Sequence, residues 1–573
     1  MYLLKKYLSF LIQAALCLGL VPCAYADVKL PAIFGDHMVL QQEATLPVWG
    51  WASPGEKIVV SFGNQKANTT TGADGKWRVD LAPVPAGTAP GTLVVAGRNT
   101  ITLSDVLVGD VWLCSGQSNM EFPTKKLSLN QVSPTDASDN QIRLFHIPHR
   151  LAIVPLEDVT ASWEVCSPET LSDFTAVGFF FAKNLRPVLN RPIGLIESSW
   201  GATTAHAWTS MDGLQTNPVF QPFIDDHNKS VANYPGGETE FETTVASYDA
   251  TLKQWNDSLA TNAPYQEAYK AWQKASNEAR AASLPQPPAP ATPTPQPHFP
   301  PGGHHNAPAA LFDAMINPII PYAIKGVIWY QGEDDSKSLE SATNYRISLP
   351  ALITDWRTHW KEGDFPFLFV QLAGFTANPK DAGEASTWAI VRESQLKTLA
   401  LPNTGMAVAV DIGTVGNIHP PDKADVGLRL SLAAQHVAYG KNLVYTGPIY
   451  DSFQITGNTI RISFKPDSIG GGLTIGKSPC ADPTAAPIST TDLQGFAIAG
   501  ADQKWFWATA KIDQNTIVVS SPDVSKPVAV RYAWAFNPTC NLYNKEGLPA
   551  SPFRTDDWEV PPADAAKAAA LFR

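Results

Sequence analysis

The pattern of apolar and polar positions divides the chain into regions of different period. Between about residues 27 and 105, apolar residues come in short runs rich in β-branched and aromatic types: "TLPVWGWA", "KIVVSFGN", "KWRVDL" and "GTLVVAG". Turn signals such as Pro54-Gly55 and Asp74-Gly75 separate them. Short runs with regular punctuation predict a sandwich-like β module of roughly 80 residues. From about 106 to 440, near-continuous apolar runs recur: "DVWLCSG", "PIGLIESSWG", "GVIWYQGE", "FPFLFVQLAGF" and "GMAVAVDIG". Helix-compatible stretches such as Phe174 to Leu189 lie between them. This alternation predicts an α/β domain whose parallel sheet is covered on both faces. Residues 441–560 return to short strand-like runs, among them "NTIRISF", "KWFWATAKI" and "PVAVRYAWAF", and predict a second β module. The last residues, "PADAAKAAALFR", suit a short helix or a frayed end.

One segment breaks the α/β pattern. Within an insertion at 233–306, the stretch from Tyr248 to Ala282 has the composition of two helices. "SLPQPPAPATPTPQPHFPPGG" follows, too rich in proline for either regular element, and reads as an extended strap.

The ends of the apolar runs matter more than the runs. In "VWLCSGQSNMEFP" a buried strand stops abruptly in small polar residues, and either Ser115 or Ser118 has the chemistry of a nucleophile. The other runs end at Gly201, Gln331 and the loop after Asp411. An open α/β sheet binds its ligands at this edge, so these polar ends are expected to converge.

Length and composition narrow the picture. At 573 residues the chain is too long for one core. Its formal charge of −11 argues against nucleic acid as a partner. Residues 1–26 read as an export leader: Lys5 and Lys6, an apolar stretch from Leu8 to Val21, then Ala24-Tyr25-Ala26. A periplasmic or secreted protein beginning near Asp27 is expected. No later run is long and apolar enough to span a membrane. Beyond the leader stand Cys114, Cys166, Cys480 and Cys540, of which Cys480 and Cys540 are the expected pair. Cys114 is either a buried thiol or bridged to Cys166. No spacing suggests a metal, and His304-His305 reads as part of a solvated loop.

A serine hydroxyl is inert without a base. His419 in "GNIHPPDK", just ahead of the helix-like "KADVGLRLSLAAQ", can reach back over the same sheet edge to Ser118. The oxyanion formed during attack needs donors already aimed at it. The N–H groups of Ser118 and Gly201 and the side-chain amide of Gln331 are of the right type. Arg392 and Glu393 read as a helix-surface or interdomain ion pair. Trp200, Trp208 and Trp329 are candidates for stacking on a sugar or for core packing.

The strings "WLCSGQSNME", "GLIESSWGATTAHAWTS", "KGVIWYQGED" and "IHPPDKADVGLRL" resemble the sialate O-acetylesterase family of the SGNH hydrolases. "FGDHMVLQQ" and "NLYNKEGLPASPFRTDDW" extend the resemblance over nearly the whole mature chain, the insertion excepted. The resemblance implies a flavodoxin-like SGNH hydrolase domain with a parallel sheet (106–440), flanked by N-terminal (27–105) and C-terminal (441–560) β-sandwich-like modules. It places the nucleophile on Ser118 and the base on His419. The oxyanion hole falls on Ser118, Gly201 and Gln331, because Asp335 stands where the family commonly has an amide. It also exposes a departure: two residues before the histidine, where the family usually has Asp, this chain has Asn417. A Ser–His dyad is therefore expected, the second imidazole nitrogen held by the Asn417 side chain or a main-chain carbonyl, with Asp411 as the rival carboxylate.

The implied reaction is hydrolysis of an acetyl ester on a sugar, with water as co-substrate and no cofactor or metal. The leading substrate is an O-acetylated sialic acid. Acetyl-xylan or a similar plant polysaccharide is the alternative substrate. A secreted glycan-binding protein with a degenerate hydrolase domain is the alternative of a different class.

Overall fold

The computed structural model describes residues 27–560, apart from 128–136, 282–285, 377, 477–488 and 490. The leader and the terminal "PADAAKAAALFR" lie outside the described residues.

The centre of the molecule is a mostly parallel sheet. Its strands are β1 (Thr100–Gly116), β2 (Asp139–His146), β3 (Trp163–Cys166), β4 (Ile193–Ser199), β5 (Gly326–Tyr330), β6 (Phe367–Gln371) and β7 (Thr404–Val408). They lie in the order β7-β6-β5-β1-β4-β2-β3, and only β3 runs antiparallel to its neighbour. The chain builds β4 and β2 on one side of β1, then crosses to lay β5, β6 and β7 on the other. The C-terminal end of β1 is therefore a topological switch point, where an open sheet leaves a crevice.

Four helices cover this sheet: α1 (Ala176–Leu189), α2 (Leu339–Trp360), α3 (Thr387–Thr398) and α4 (Lys423–Val437). The strand register shows which face each covers. Trp112 of β1 packs edge-on against Phe181 of α1, with ring centroids 5.0 Å apart. On the same face of β1, Cys114 lies against Gly178 of α1. Trp329 of β5 is aligned with Ser115 of β1, so it points the other way, and there it meets Trp356 of α2 at 5.8 Å. Helix α4 joins α1, with Gly427 so close to Phe180 that a Cβ there would lie 2.5 Å from the Phe180 Cβ. Helix α3 packs on α2. Helices thus lie on both faces, which is why the strands β4, β5, β6 and β7 are buried at every position.

The N-terminal strands are not separate from this sheet. The long β1 pairs along its first half with Gly87–Ala96 and Val39–Gln41, and Gly87–Ala96 in turn pairs with Lys57–Phe62. The expected border at 105/106 falls inside β1, which carries eleven strands as one sheet. Leu46–Trp51 and Lys76–Leu81 form a further antiparallel pair.

Among the described residues, the C-terminal segment forms antiparallel sheets of four, four and two strands. Arg392 and Glu393 tie it to α3, with different partners. The buried Arg392 guanidinium donates to the carbonyls of Leu372, Ala373, Ala535 and Phe536, and Glu393 receives Arg554 at 2.9 and 3.0 Å. The expected interdomain ion pair is thus made by Glu393, with Arg554, while Arg392 reaches the C-terminal segment through main-chain carbonyls.

In the insertion, helices Glu238–Thr261 and Ala263–Ala281 pack on one another. The proline-rich chain runs along them. Trp255 Nε1 donates to the Thr294 carbonyl, Trp272 Nε1 to Pro287 and Tyr234 Oη to Pro301. An extended proline-rich segment leaves its carbonyls free, and these aromatic donors take them up. Cys114, Cys166 and Cys540 are buried free thiols. The expected Cys480–Cys540 pairing involves Cys480, which lies outside the described residues; Cys540 itself sits in the interior beside Tyr532 and Arg392, where burial pushes its thiol up to about 12.

Candidate active site

The turn after β1 decides which serine is presented. Ser115 is the last but one residue of β1 and is fully buried, with its hydroxyl unpartnered among the described residues. Gly116 then takes φ +135°, against the Tyr330 carbonyl, where a Cβ would approach to 2.2 Å. Only glycine fits such a position. Gln117 N–H donates to Tyr330 O at 3.0 Å, and the Gln117 side-chain oxygen receives the N–H groups of Gly332 and Asp334, both at 3.3 Å. The chain then enters the short helix Ser118–Glu121 with Ser118 half-buried at its first position.

His419 arrives from the loop between β7 and α4. A turn at Thr414–Asn417, with Gly416 at φ +71°, reverses the chain. His419 Nε2 lies 2.8 Å from Ser118 Oγ, bonded across 301 residues of sequence. Burial, Lys423 and Lys126, in that order, push the His419 imidazole down to about 4, against a smaller opposing pull from Glu121. At neutral pH the ring is uncharged and free to accept the serine proton.

No acceptor is bonded to the other ring nitrogen, Nδ1, among the described residues. Asn417 instead spends its side-chain oxygen on the His419 main-chain N–H, at 2.9 Å. Asn417 is thus placed to shape the loop and does not hold the ring. The rival Asp411 is corrected outright. Its carboxylate binds Arg429 through both oxygens at 2.6 and 2.8 Å and accepts from Tyr543 Oη at 2.9 Å. This buried ion pair fixes the turn before the histidine loop.

The oxyanion donors fare differently from one another. Ser118 N–H has no partner among the described residues, as expected at the start of a helix. Gly201 lies directly beside the serine: a Cβ there would sit 3.1 Å from Ser118 Cβ. Its N–H, however, is held by Glu121 Oε2 at 2.6 Å. Gln331 is corrected as a donor. It is fully buried, and its amide protons go to Thr203 O at 2.9 Å and Asp335 Oδ2 at 2.5 Å. Asp335, which also accepts from Ala205 N–H, makes Gln331 a structural brace of the turn after β5.

Sequence reasoning missed a buried bridge behind the dyad. Asn119 donates to Glu333 Oε1 at 2.5 Å and to the Ile418 carbonyl at 3.0 Å, and accepts from Lys423 Nζ at 2.5 Å. It links the serine turn, the β5 turn, the histidine loop and the start of α4. Burial drives the Lys423 ammonium down and the Glu333 carboxyl up, each to about 7. All three residues stand inside strings already singled out, but their meeting is visible only in three dimensions.

In front of the dyad is a cleft of about 830 Å³ lined by Ser118, Glu121, Lys126, His146, His149 and His419 among others. Glu121 also pairs with His149 Nε2 at 3.2 Å, and the His149 ring stacks on Trp200 at 4.1 Å, tilted by 3°. Trp200 therefore has one face covered. Trp208 and Trp329 are fully buried against each other and belong to the core. No cluster of three or more His, Cys, Asp or Glu side chains suited to a metal occurs among the described residues, and no described helix is long and apolar enough to cross a membrane.

The family described as carbohydrate esterase, sialic acid-specific acetylesterase, matches residues 108–278 and 305–438. The chain belongs to this family. The matched segments hold Ser118, Gly201, Gln331, Asn417 and His419 and omit the proline-rich strap. The sialate O-acetylesterases of Rattus norvegicus and Homo sapiens are 28% and 27% identical to it, over 92% of this chain and 94% and 92% of theirs. A crystal structure of a carbohydrate acetylesterase from Xanthomonas citri is 36% identical, with a TM-score of 0.73 over 93% of this chain and 100% of that one. As a member of the acetylesterase family the chain is a carboxylic ester hydrolase that acts as a carbohydrate O-acetylesterase.

Proposed function

We propose that this esterase removes acetyl groups from an O-acetylated sialic acid, with Ser118 as nucleophile and His419 as its only catalytic partner. The observation that carries the chemistry is the 2.8 Å contact between His419 Nε2 and Ser118 Oγ at the switch point of the sheet. Ser118 Oγ attacks the acetyl carbonyl as its proton passes to Nε2. The oxyanion is received by the free Ser118 N–H and by Gly201 N–H once Glu121 lets it go. The imidazolium, made acidic by its burial and by Lys423 and Lys126, then protonates the departing sugar oxygen. Water, activated by the neutral His419, releases acetate from Ser118.

Two observations support an acidic sugar. The mammalian relatives matching over 92% of the chain carry the name sialate O-acetylesterase. Lys126 lines the cleft with no ion pair among the described residues, a charge suited to a carboxylate. An SGNH-type, flavodoxin-like domain, interrupted by an access-shaping insertion and joined through β1 to the N-terminal strands, accounts for a serine at the end of the central strand. An exported enzyme, periplasmic or secreted, fits an extracellular glycan substrate. Acetate release from O-acetylated sialic acid, compared with acetyl-xylan, tests the substrate. Faster release from acetyl-xylan would reject the sialate reading and leave the esterase chemistry standing.

A further inference from the structure

A second cavity, of about 360 Å³, shares no lining residue with the catalytic cleft. It opens on the C-terminal sheet whose strands are Trp505–Trp507, Phe496–Gly500, Pro527–Tyr532 and Phe553–Arg554. Register places Trp507, Ala497 and Arg531 side by side in one cross-strand row. Residues directly opposite in paired strands share a face. The small Ala497 therefore floors a trough between an indole and a guanidinium.

The two walls are built differently. Trp507 is 49% exposed, among the most exposed of the large apolar side chains. Arg531 is rigid: its guanidinium lies 4.2 Å from the Trp505 ring centroid and 5.5 Å from that of Trp534. Asp556 grips it through two bonds of 2.9 and 2.7 Å. Asp381, Gln494 and Thr539 complete the polar lining. Thr539 accepts from Asn378 Nδ2 at 2.9 Å, which leaves its hydroxyl proton to give.

An exposed indole beside fixed polar groups suits a ligand with one apolar face and a polar rim. A pyranose ring has both, its C–H bonds on the face and its hydroxyls around the edge. The cavity has the size of a small-molecule site. We propose that this trough binds a neutral oligosaccharide, one sugar ring resting on Trp507 and its hydroxyls meeting Arg531, Asp381 and Thr539. A neutral glycan is favoured over an acidic one because Arg531, the one cation of the lining, is already neutralised by Asp556. Holding a glycan here raises the effective concentration of the same chain's acetyl groups at the catalytic cleft. The inference uses the carbohydrate esterase activity alone and does not depend on which sugar carries the acetyl.

The test uses the full chain with Ser118→Ala, so that nothing is turned over. Tryptophan fluorescence is titrated with xylohexaose, cellohexaose and 3′-sialyllactose. Saturable binding of at least one neutral hexasaccharide is expected, weakened tenfold or more by Trp507→Ala and retained within about threefold by Trp507→Tyr, which keeps a stacking face. On the otherwise unaltered enzyme, Trp507→Ala should leave p-nitrophenyl acetate turnover and the melting temperature unchanged. Absence of saturable binding by both hexasaccharides, equal binding in Trp507→Ala, or tighter binding of the sialylated sugar that is lost in Trp507→Ala would each overturn the proposal.

Discussion

Glu121 holds Gly201: its Oε2 accepts the main-chain N–H at 2.6 Å, on the very glycine that packs against Ser118. The position that the proposed oxyanion needs is thus filled by a side chain of the same charge. Burial works against this carboxylate, but His149 and Gly201 N–H hold it below the usual range, so it is ionised at neutral pH. Substrate has to displace it. Glu121→Gln removes the charge and weakens the grip, and kcat/KM for p-nitrophenyl acetate should rise about tenfold, ~1.4 kcal/mol of barrier. A fall of that size would mean that Glu121 assists the reaction.

Asn417 and Asp411 separate by what each would break. Asn417→Asp keeps an oxygen for the His419 main-chain N–H, so activity should stay within about threefold. Asn417→Ala should cost more than Asn417→Asp but far less than His419→Ala. Asp411→Ala strands the buried Arg429, and its loss should appear in stability, ~3–5 kcal/mol by denaturant unfolding. A folded Asp411→Ala protein as inactive as His419→Ala would contradict the dyad.

The pH profile carries a sign. His419 must be neutral to act as base, and its pKa is lowered to about 4 by burial, Lys423 and Lys126, with Glu121 opposing. On the acid side, kcat/KM should therefore hold down to about pH 5 and fall below it, where an ordinary histidine would already have lost half its activity at about 6.5. Lys126→Ala removes one cation that disfavours the imidazolium, so the acid limb should move to higher pH. A parent midpoint near 6.5, or a downward move in the variant, would count against this placement of charge.

Asn119 stitches the serine turn to the histidine loop through the Ile418 carbonyl and Lys423. Asn119→Ala should loosen the Ser118–His419 contact and lower kcat by about 10²-fold with little change in KM, the cost of a misplacement of about 1 Å. A proportional rise in KM with kcat intact would show that Asn119 serves binding.

The legible features were those set by local pattern. The apolar run of β1 ending in Gly116-Gln117-Ser118 reports a buried strand and the polar turn that stops it, and the residue pattern alone finds both. The two insertion helices are legible for the same reason. What escaped depends on partners far away in sequence. Gln331 has the right chemistry for a donor, yet Thr203, 128 residues away, and Asp335 use up its protons. Asn417 stands at the family's acid position, and only the turn at Thr414–Asn417 aims its oxygen at a main-chain N–H. An interdomain ion pair at Arg392-Glu393 was legible, but not that a helix sends the two neighbours to different faces, so that Glu393 alone takes Arg554, 161 residues away, and Arg392 takes carbonyls. A border at 105/106 could not be read because β1 stays strand-like throughout.

In the proposed mechanism Ser118 carries the acetyl group between the two half-reactions. The direct measurement is intact and peptide mass spectrometry of enzyme quenched in acid during turnover of p-nitrophenyl acetate. One added acetyl is expected, on the peptide containing Ser118. It should be absent in Ser118→Ala, greatly diminished in His419→Ala and present in Ser115→Ala. Acetylation at any other residue as the turnover-competent species, or full activity in Ser118→Ala, would contradict the account.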